Sequence, residues 1–264
     1  MNIWIKIILW VLFLSIILRL TSEKFAKSTA RIHKNGFQVL DCLNEGDINY
    51  LKSHWEAGES TEKIKRHLQS NQKVLEHIQK LLGPHYVFQD YILLIEKSKI
   101  HTCHRDNNSK LLNPKQKHNS YTIIFYLDDM ERCLDVIDKS NKSSNGLFLT
   151  DPTVSIKCRP GNAILFDASL IHSGSFNLRP NNRRIQMKLT HVEDLEAVDF
   201  FQNYNKTIDK ENPIPEVIAL AQKHMTCQAP IFSDLVKNST DFPLSETFSK
   251  LFYGDSSFYE LKDV

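Results

Sequence analysis

The segment His104-Arg105-Asp106 has the residue types and spacing that metal binding needs. On a strand, residues at i and i+2 project to the same side, so this imidazole and this carboxylate would face one point. The pattern alone is weak, because roughly one H-x-D match is expected by chance in a chain of this composition. A metal site therefore requires a further ligand elsewhere in the chain.

The segment from Arg159 to Gly174 contains a candidate for that ligand. A Pro-Gly turn is followed by an apolar run and then by His172, which would lie at a strand end. Two imidazoles and one carboxylate on one face of an octahedron hold Fe(II) and leave positions open for substrate and oxygen. The sequence thus predicts that His104, Asp106 and His172 bind one metal ion, although each of them could separately be an ordinary hydrogen-bonded or solvated residue.

Two arginines, Arg183 and Arg184, begin a segment that alternates up to Leu189. Arg183 shares a face with Ile185, Met187 and Leu189, whereas Arg184 shares one with Gln186, Lys188 and Thr190. An inward strand face should be apolar, so the alternation predicts that Arg183 points into the core, with Arg184 as the alternative if the register shifts by one residue. A buried guanidinium grips a carboxylate through two parallel hydrogen bonds, so it could hold a dicarboxylate cosubstrate.

The residues around these segments form two regions with different hydrophobic periodicity. From Ser22 to Pro84, apolar residues recur at spacings of three and four, which predicts helices. Beyond Pro84, short β-branched or aromatic runs predict strands at residues 87–95, 121–127, 147–150, 154–156, 163–166 and 183–190. Many short strands are typical of a sandwich or barrel. The polar stretches 107–120 and 130–145 are predicted to be loops that line a pocket.

In its H-x-D pattern, distal His and following Arg, the chain resembles the non-haem Fe(II) and 2-oxoglutarate-dependent dioxygenases over roughly Phe88 to His191. The resemblance implies a mainly β fold with flanking helices (α+β), built on a double-stranded β-helix of the jelly-roll or cupin-like type. It also implies Fe(II), 2-oxoglutarate and O2 as cofactor and cosubstrates, with His104, Asp106 and His172 as the iron ligands.

The resemblance further implies a set of residues for 2-oxoglutarate. Arg183, or Arg184 in the shifted register, would bind its distal carboxylate, and Ser173 or Ser175 would supply a second contact. Tyr121 opens a strand similar to the core strands of the family and is a further candidate.

The branch within the superfamily is open between two groups. The run from His172 to Ser175 and the opening at Asn35-Gly36-Phe37 look like the phytanoyl-CoA dioxygenase group, whereas the compact spacing from Gly146 to His172 looks like prolyl hydroxylases. The activity implied is hydroxylation of a lipid, small-molecule or protein substrate with release of succinate and CO2. The alternative is a catalytically silent barrel that binds a ligand or protein at the membrane, because fold alone does not fix function.

The N-terminus carries the one membrane signal of the sequence. The run from Ile3 to Leu20 is apolar apart from Ser15, Lys6 and Arg19, and it has about the ~20 residues that a bilayer core requires. No small-x-small cleavage pattern follows, so residues 1–22 are predicted to be a single-pass signal anchor. The basic residues after it favour a cytoplasmic body, whereas a lumenal or secreted body is weakly favoured by N-x-S/T sequons at Asn107, Asn141, Asn205 and Asn238.

The composition disfavours two other classes of protein, nucleic-acid binders and disulfide-rich proteins. The chain has 264 residues and a formal net charge of +2, which gives no electrostatic footprint for nucleic acid. Its 5 Cys residues are odd in number and form no C-x-x-C pair, so a disulfide framework is disfavoured, although a single lumenal disulfide is compatible with them.

Four regions are predicted: the anchor at 1–22, a helical support at 23–84, the β-helix core at 85–193 and a helical and loop extension at 194–264.

Two other functions of this region, a kinase catalytic motif and a structural zinc site, are disfavoured because the residue spacing does not match. His104-Arg105-Asp106 also spells a kinase catalytic triplet, but Leu111 stands where that motif requires Asn. A zinc site from His101, Cys103 and His104 with Cys133 would lack the paired spacing of structural zinc modules. His191-Val192-Glu193 lies past the last predicted core strand and is predicted to be a surface pair.

Overall fold

The computed structural model describes residues 10, 24–27, 29–58, 61–97, 101–148, 151–175, 182–209, 213–231, 245–254 and 262–263. Within these residues the predicted fold class, mainly β with flanking helices, is confirmed. Two sheets enclose one apolar core, an arrangement compatible with a cupin-like β-sandwich.

The secondary structure has the following bounds. The strands are β1 (Lys24–Phe25), β2 (Phe37–Asp41), β3 (Tyr86–Phe88), β4 (Tyr91–Ile95), β5 (Tyr121–Tyr126), β6 (Met130–Ile137), β7 (Thr153–Cys158), β8 (Asn162–Asp167), β9 (His172–Gly174), β10 (Arg184–His191), β11 (Tyr204–Ile208) and β12 (Lys262–Asp263). The α-helices are α1 (Ile32–Asn35), α2 (Glu45–Glu56), α3 (Thr61–Ser70), α4 (Gln72–Leu82), α5 (Glu216–Gln228) and α6 (Ser245–Tyr253).

The larger sheet has the strand order β12-β11-β4-β10-β5-β8-β2, with β3 also paired to β10. The smaller sheet has the order β1-β7-β6-β9. Alternate residues of both sheets meet in the space between them, among them Tyr126, Leu134, Ile156 and Phe166. Because side chains alternate along a strand, the residues between these point to the outer faces of the sandwich.

Helices α2, α3 and α4 cover the outer face of the larger sheet. Asn44 caps α2 through a reciprocal capping box with Asp47, which satisfies backbone donors at the start of the helix. Leu51, Ile64 and Val74 of these helices are fully buried. The apolar side of β10 packs into this helical layer, so that strand turns its polar side towards the space between the sheets.

Three predicted elements differ from the structure. The stretch 23–84 is not purely helical, because β2 lies within it and joins the larger sheet beside β8. The stretch 130–145 is not only loop, because its first half forms β6, whose buried Asp135 interrupts the apolar pattern that would have indicated a strand. Residues 147–148 of the predicted strand 147–150 are not in a strand, and the other two lie outside the described residues.

Within the described ranges, no helix combines the length and the apolar character needed to cross a bilayer. The predicted signal anchor at 1–22, apart from Trp10, lies outside those ranges. One disulfide joins Cys103 to Cys227 of α5. The three other cysteines are buried thiols.

Candidate metal centre

Backbone pairing brings the predicted metal ligands together. His104 lies between β4 and β5 and pairs with His172 at the start of β9, each amide N donating to the other carbonyl O over 3.0 Å. The amide of Asp106 donates to the carbonyl O of Ala168 at 2.9 Å. Residues 68 positions apart are therefore held side by side by the main chain, independently of any side-chain contact.

The three side chains converge on one point between the sheets. Asp106 Oδ1 lies 3.9 Å from His104 Nε2 and 3.8 Å from His172 Nε2. The two imidazole centroids are 4.4 Å apart. All three side chains are buried, with at most 7% of the side chain exposed. The structure thus brings together the three residues that the sequence predicted to bind one metal ion.

Both imidazoles are held in the tautomer that suits a metal. His104 Nδ1 lies 2.8 Å from the carbonyl O of Thr102, and His172 Nδ1 lies 2.9 Å from the carbonyl O of Leu170. A carbonyl oxygen only accepts, so each ring carries a proton on Nδ1, and the neutral form of the ring presents its lone pair at Nε2. This arrangement of outer contacts is the one that orients His ligands in metal sites, so the residues present fit a divalent ion.

The second carboxylate oxygen of Asp106 is already occupied. Thr122 Oγ1 donates to Asp106 Oδ2 at 2.6 Å, and Lys188 Nζ donates to the same oxygen at 3.0 Å. Lys188 also donates to Asn108 Oδ1 at 3.1 Å. Burial lowers the pKa of the Lys188 ammonium, and the neighbouring Asp106 opposes that shift. These contacts fix the carboxylate so that Oδ1 faces the imidazoles.

The predicted orientation of Arg183 is wrong. Its guanidinium pairs with Asp128, at 3.1 Å from Nε to Oδ2, and with Glu56 at the end of α2, so it points to the helical side of the sheet. Arg184, the predicted alternative, is buried on the same face of β10 as Lys188. The prediction failed because it assumed that the apolar face of β10 fills the sandwich, whereas that face packs against helices.

Tyr126 accompanies Arg184 inside the sandwich. The two residues are directly opposite each other on β5 and β10. The Tyr126 hydroxyl is buried and has no hydrogen-bond partner among the described residues. Burial raises its pKa well above the usual value, so it stays a neutral donor at physiological pH. An unpaired buried hydroxyl beside a buried guanidinium fits an anionic ligand with oxygen acceptors.

Two of the other predicted cosubstrate residues, Tyr121 and Ser173, point away from the space between the sheets. Tyr121 packs in the helical layer, with its ring 5.4 Å from that of Tyr86, on the face of β5 opposite to Thr122. Ser173 is paired with Asp135 of β6 and points away from the face that carries His172. Ser175 is buried just after β9, and its contact with 2-oxoglutarate stays a prediction.

Sequence reasoning missed Thr122, Tyr126, Asn108 and Lys188 as site residues. The alternation of β10 already placed Lys188 on the Arg184 face, so the correct choice of inward face would have identified it. Thr122 and Tyr126 share one face of β5 by the same rule. Asn108 lies in a loop, and no periodic signal marks it.

The ion pair of Arg183 with Asp128 makes stability depend on pH. Burial raises the pKa of Asp128, but hydrogen bonds from Arg183 and Lys52 outweigh burial and lower this pKa below its ordinary value of 3.8. A carboxyl whose folded pKa is lowered stabilises the fold above its unfolded pKa and loses that contribution as pH falls through the folded value. We therefore expect Asp128→Asn to destabilise the protein at neutral pH, by an amount that shrinks as pH falls below 3.8.

Urea unfolding of both proteins at a series of pH values checks this expectation. Asp41→Asn is the matched control, since that side chain is 82% exposed and its contacts are long, at 3.7 Å with Lys73 and 3.5 Å with Asn162. A difference between wild type and Asp128→Asn that is independent of pH would contradict the expectation.

A second group of potential ligands lies at the surface. His118, His191 and Glu193 place nitrogen and oxygen atoms within 4.8 Å of one another. The two imidazoles stack at 3.7 Å between centroids with an interplanar angle of 26°. A ring nitrogen binds metal in the plane of its ring, so stacked rings are poorly placed to share one ion.

Comparison with known proteins gives a likeness of fold. No protein-family model and no curated protein matches the sequence. The non-haem α-ketoglutarate-dependent epimerase SnoN of nogalamycin biosynthesis superposes with a TM-score of 0.51 at 17% identity, over 62% of this chain and 79% of SnoN. SnoN has also been solved with Fe3+ and α-ketoglutarate, with a TM-score of 0.50 at 13% identity, over 62% of this chain and 82% of that one. The apo form of HygX from Streptomyces hygroscopicus superposes with a TM-score of 0.50 at 13% identity, over 61% and 84% of the two chains.

Proposed function

We propose that this protein is an Fe(II)- and 2-oxoglutarate-dependent oxygenase that hydroxylates a C–H bond of its substrate. The observation that carries the proposal is the buried group of His104, Asp106 and His172, in which two Nε2 atoms and one Oδ1 face a common point. Two imidazoles and one carboxylate are the ligand set of non-haem Fe(II) oxygenases. The shared fold with SnoN supports the same class.

The residues at this site would have two roles, binding the iron and orienting the ligating carboxylate. His104, His172 and Asp106 would hold the iron, and Thr122 and Lys188 keep the carboxylate in place through its other oxygen. When bound, the iron and its cosubstrate supply the oxidative chemistry: one O2 is consumed, 2-oxoglutarate becomes succinate and CO2, and one oxygen atom is inserted into the substrate.

Arg184 and Tyr126 would bind the cosubstrate. The Arg184 guanidinium presents parallel N–H donors to the distal carboxylate of 2-oxoglutarate, and the unpaired Tyr126 hydroxyl donates a further hydrogen bond. Around them, Ile124, Val136 and Phe166 form an apolar wall between the sheets. Such a wall excludes water and strengthens each charge interaction inside it.

Succinate formation tests the proposal. The full-length chain, freed of metal and then supplied with Fe(II), 2-oxoglutarate and O2, is expected to release succinate, and the metal-free chain is expected to release none. Calorimetric titration with 2-oxoglutarate under argon is expected to show binding that depends on the metal. A chain that binds neither iron nor 2-oxoglutarate would contradict the proposal and favour a ligand- or protein-binding module.

We also propose that residues 1–22 tether the enzyme, which would direct it to membrane-associated lipids or proteins. The support is the apolar run of that segment in the sequence. The disulfide between Cys103 and Cys227 favours an oxidising compartment for the body, opposite to the cytoplasmic side favoured by the basic flanks. The full chain is expected to stay with membranes through an alkaline carbonate wash, and release by that wash would contradict the tether.

A further inference from the structure

The outer face of the smaller sheet carries helix α5, which lies far along the chain from the metal ligands. Its residue Cys227 is fully buried and bonded to Cys103, the residue immediately before His104. Their Cα atoms are 4.8 Å apart across a sequence separation of 124 residues. The helix is thus covalently attached to the segment 101–104.

Two further contacts join α5 to the same segment. Thr226 Oγ1 accepts a hydrogen bond from the amide N of Cys103 at 2.9 Å, while it donates within its own helix to the carbonyl of Gln222 at 3.0 Å. Gln222 Oε1 lies 3.0 Å from His101 Nε2. Consecutive turns of α5 therefore hold residues 101 and 103, on either side of Thr102.

Thr102 connects this attachment to the metal centre. Its carbonyl O accepts the Nδ1 hydrogen of His104, which fixes the ring and leaves Nε2 towards Asp106. Its side chain is also held, because Thr102 Oγ1 lies 2.6 Å from the hydroxyl of Tyr253 in α6. A shift of Thr102 would rotate the His104 imidazole or leave its Nδ1 hydrogen without an acceptor.

Helix α5 is itself attached to the smaller sheet by a buried ion pair. Lys223 of α5 pairs with Asp135 of β6, and both side chains are almost completely buried. Ser155 of β7 donates to the other oxygen of Asp135 at 2.6 Å. Asp135 is the strand neighbour of Ser173, which follows His172. The helix is therefore anchored to the sheet that carries one histidine and attached to the segment that carries the other.

We propose that α5 is a brace for the metal centre, in which Cys227 and Thr226 act as positioning residues that hold segment 101–104 so that His104 faces Asp106 and His172. The inference rests on the metal-binding function proposed above and gives a role to the C-terminal extension. Reduction by a dithiol would break the covalent contact of the brace: two electrons and two protons pass to Cys103 and Cys227, and the dithiol leaves as a cyclic disulfide.

Cobalt titration of the full-length chain tests the brace, with Co(II) as a spectroscopic substitute for Fe(II). Contacts that orient a metal ligand typically change affinity by about 10–100-fold, so Cys227→Ser and Thr226→Val are each expected to weaken Co(II) binding by at least about 10-fold. Thr226→Ser keeps the accepting oxygen and is expected to bind as wild type does. Cys42→Ala is the matched control, because Cys42 is equally buried but packs on the helical side of the larger sheet.

Amide hydrogen exchange of residues 101–104 is measured on the same proteins and needs no metal. Exchange in that segment is expected to be faster in Cys227→Ser and in Thr226→Val than in wild type or Cys42→Ala. Wild-type affinity in both variants, or an equal loss in Cys42→Ala, would overturn the brace. A wild-type chain that binds no Co(II) would instead refute the proposed function, and unchanged exchange in the variants would then overturn the brace as well.

Discussion

Replacing Asp106 by Ala is expected to weaken metal binding by more than about 100-fold and to abolish succinate formation. Loss of an outer contact to a ligand already costs about 10–100-fold in affinity, and this change removes a ligand outright. The same change leaves Lys188 buried without its carboxylate, and an uncompensated buried charge costs about 3–5 kcal/mol of folding stability. Co(II) titration and urea unfolding of the variant measure the two effects separately.

The double variant Asp106→Ala with Lys188→Met distinguishes loss of the ligand from loss of the fold. It removes both members of the buried pair, so we expect most of the stability to return while metal binding stays lost. Glu193→Ala is the matched control, because it removes a carboxylate from the surface group with His118 and His191. Wild-type Co(II) affinity in the double variant would show that Asp106 is not a ligand.

Replacing Arg184 by Met is expected to raise the KM for 2-oxoglutarate by about 100-fold with little change in Co(II) affinity. A charge-assisted hydrogen bond is worth about 1.5–3 kcal/mol, and the loss of about 2.7 kcal/mol, within the range for one such bond, corresponds to about 100-fold. Met keeps the length and the apolar stem of the side chain. Succinate formation at saturating Fe(II), followed against 2-oxoglutarate concentration, gives the KM.

Two companion variants decide which arginine is the anchor. Arg183→Met should leave the KM for 2-oxoglutarate unchanged and lower stability instead, since Arg183 pairs with Asp128 and Glu56 on the helical side. Arg184→Lys should give an intermediate KM, because it keeps the charge and loses the planar pair of donors. A raised KM in Arg183→Met with a normal KM in Arg184→Met would contradict the proposal that Arg184 is the anchor.

Lys188 places a buried positive charge beside Asp106, and the H-x-D motif of the sequence does not indicate this charge. Its ammonium lies 3.0 Å from Asp106 Oδ2 and 4.9 Å from the ring centroid of Phe201, which belongs to the C-terminal extension. A cation this close to the ligating carboxylate offsets its negative charge before any metal binds. The adjacent aromatic face stabilises the ammonium in a buried position.

The sequence alone indicated the candidate metal ligands and the class of the fold. The ligand types His104, Asp106 and His172 follow from coordination preferences, which depend on residue identity and on order along the chain. The helical and β-rich regions follow from local periodicity, which is a property of neighbouring residues. These features need no knowledge of which elements pack together.

Only the tertiary structure decided which face of a strand lies inside. Both faces of β10 are buried, one against helices and the other against the metal centre, so hydrophobic alternation cannot tell them apart. This ambiguity led to the prediction that Arg183, rather than Arg184, lies on the inner face.

The same limit hid the contacts made over long separations. The attachment of Cys227 to Cys103 and the contact of Lys188 with Asp106 join residues 124 and 82 positions apart. Such pairs leave no periodic signal in one sequence, because they arise only when packed layers bring distant segments together. The local sequence therefore indicates the candidate ligands, whereas the packing of the layers decides how these side chains are oriented and what supports them.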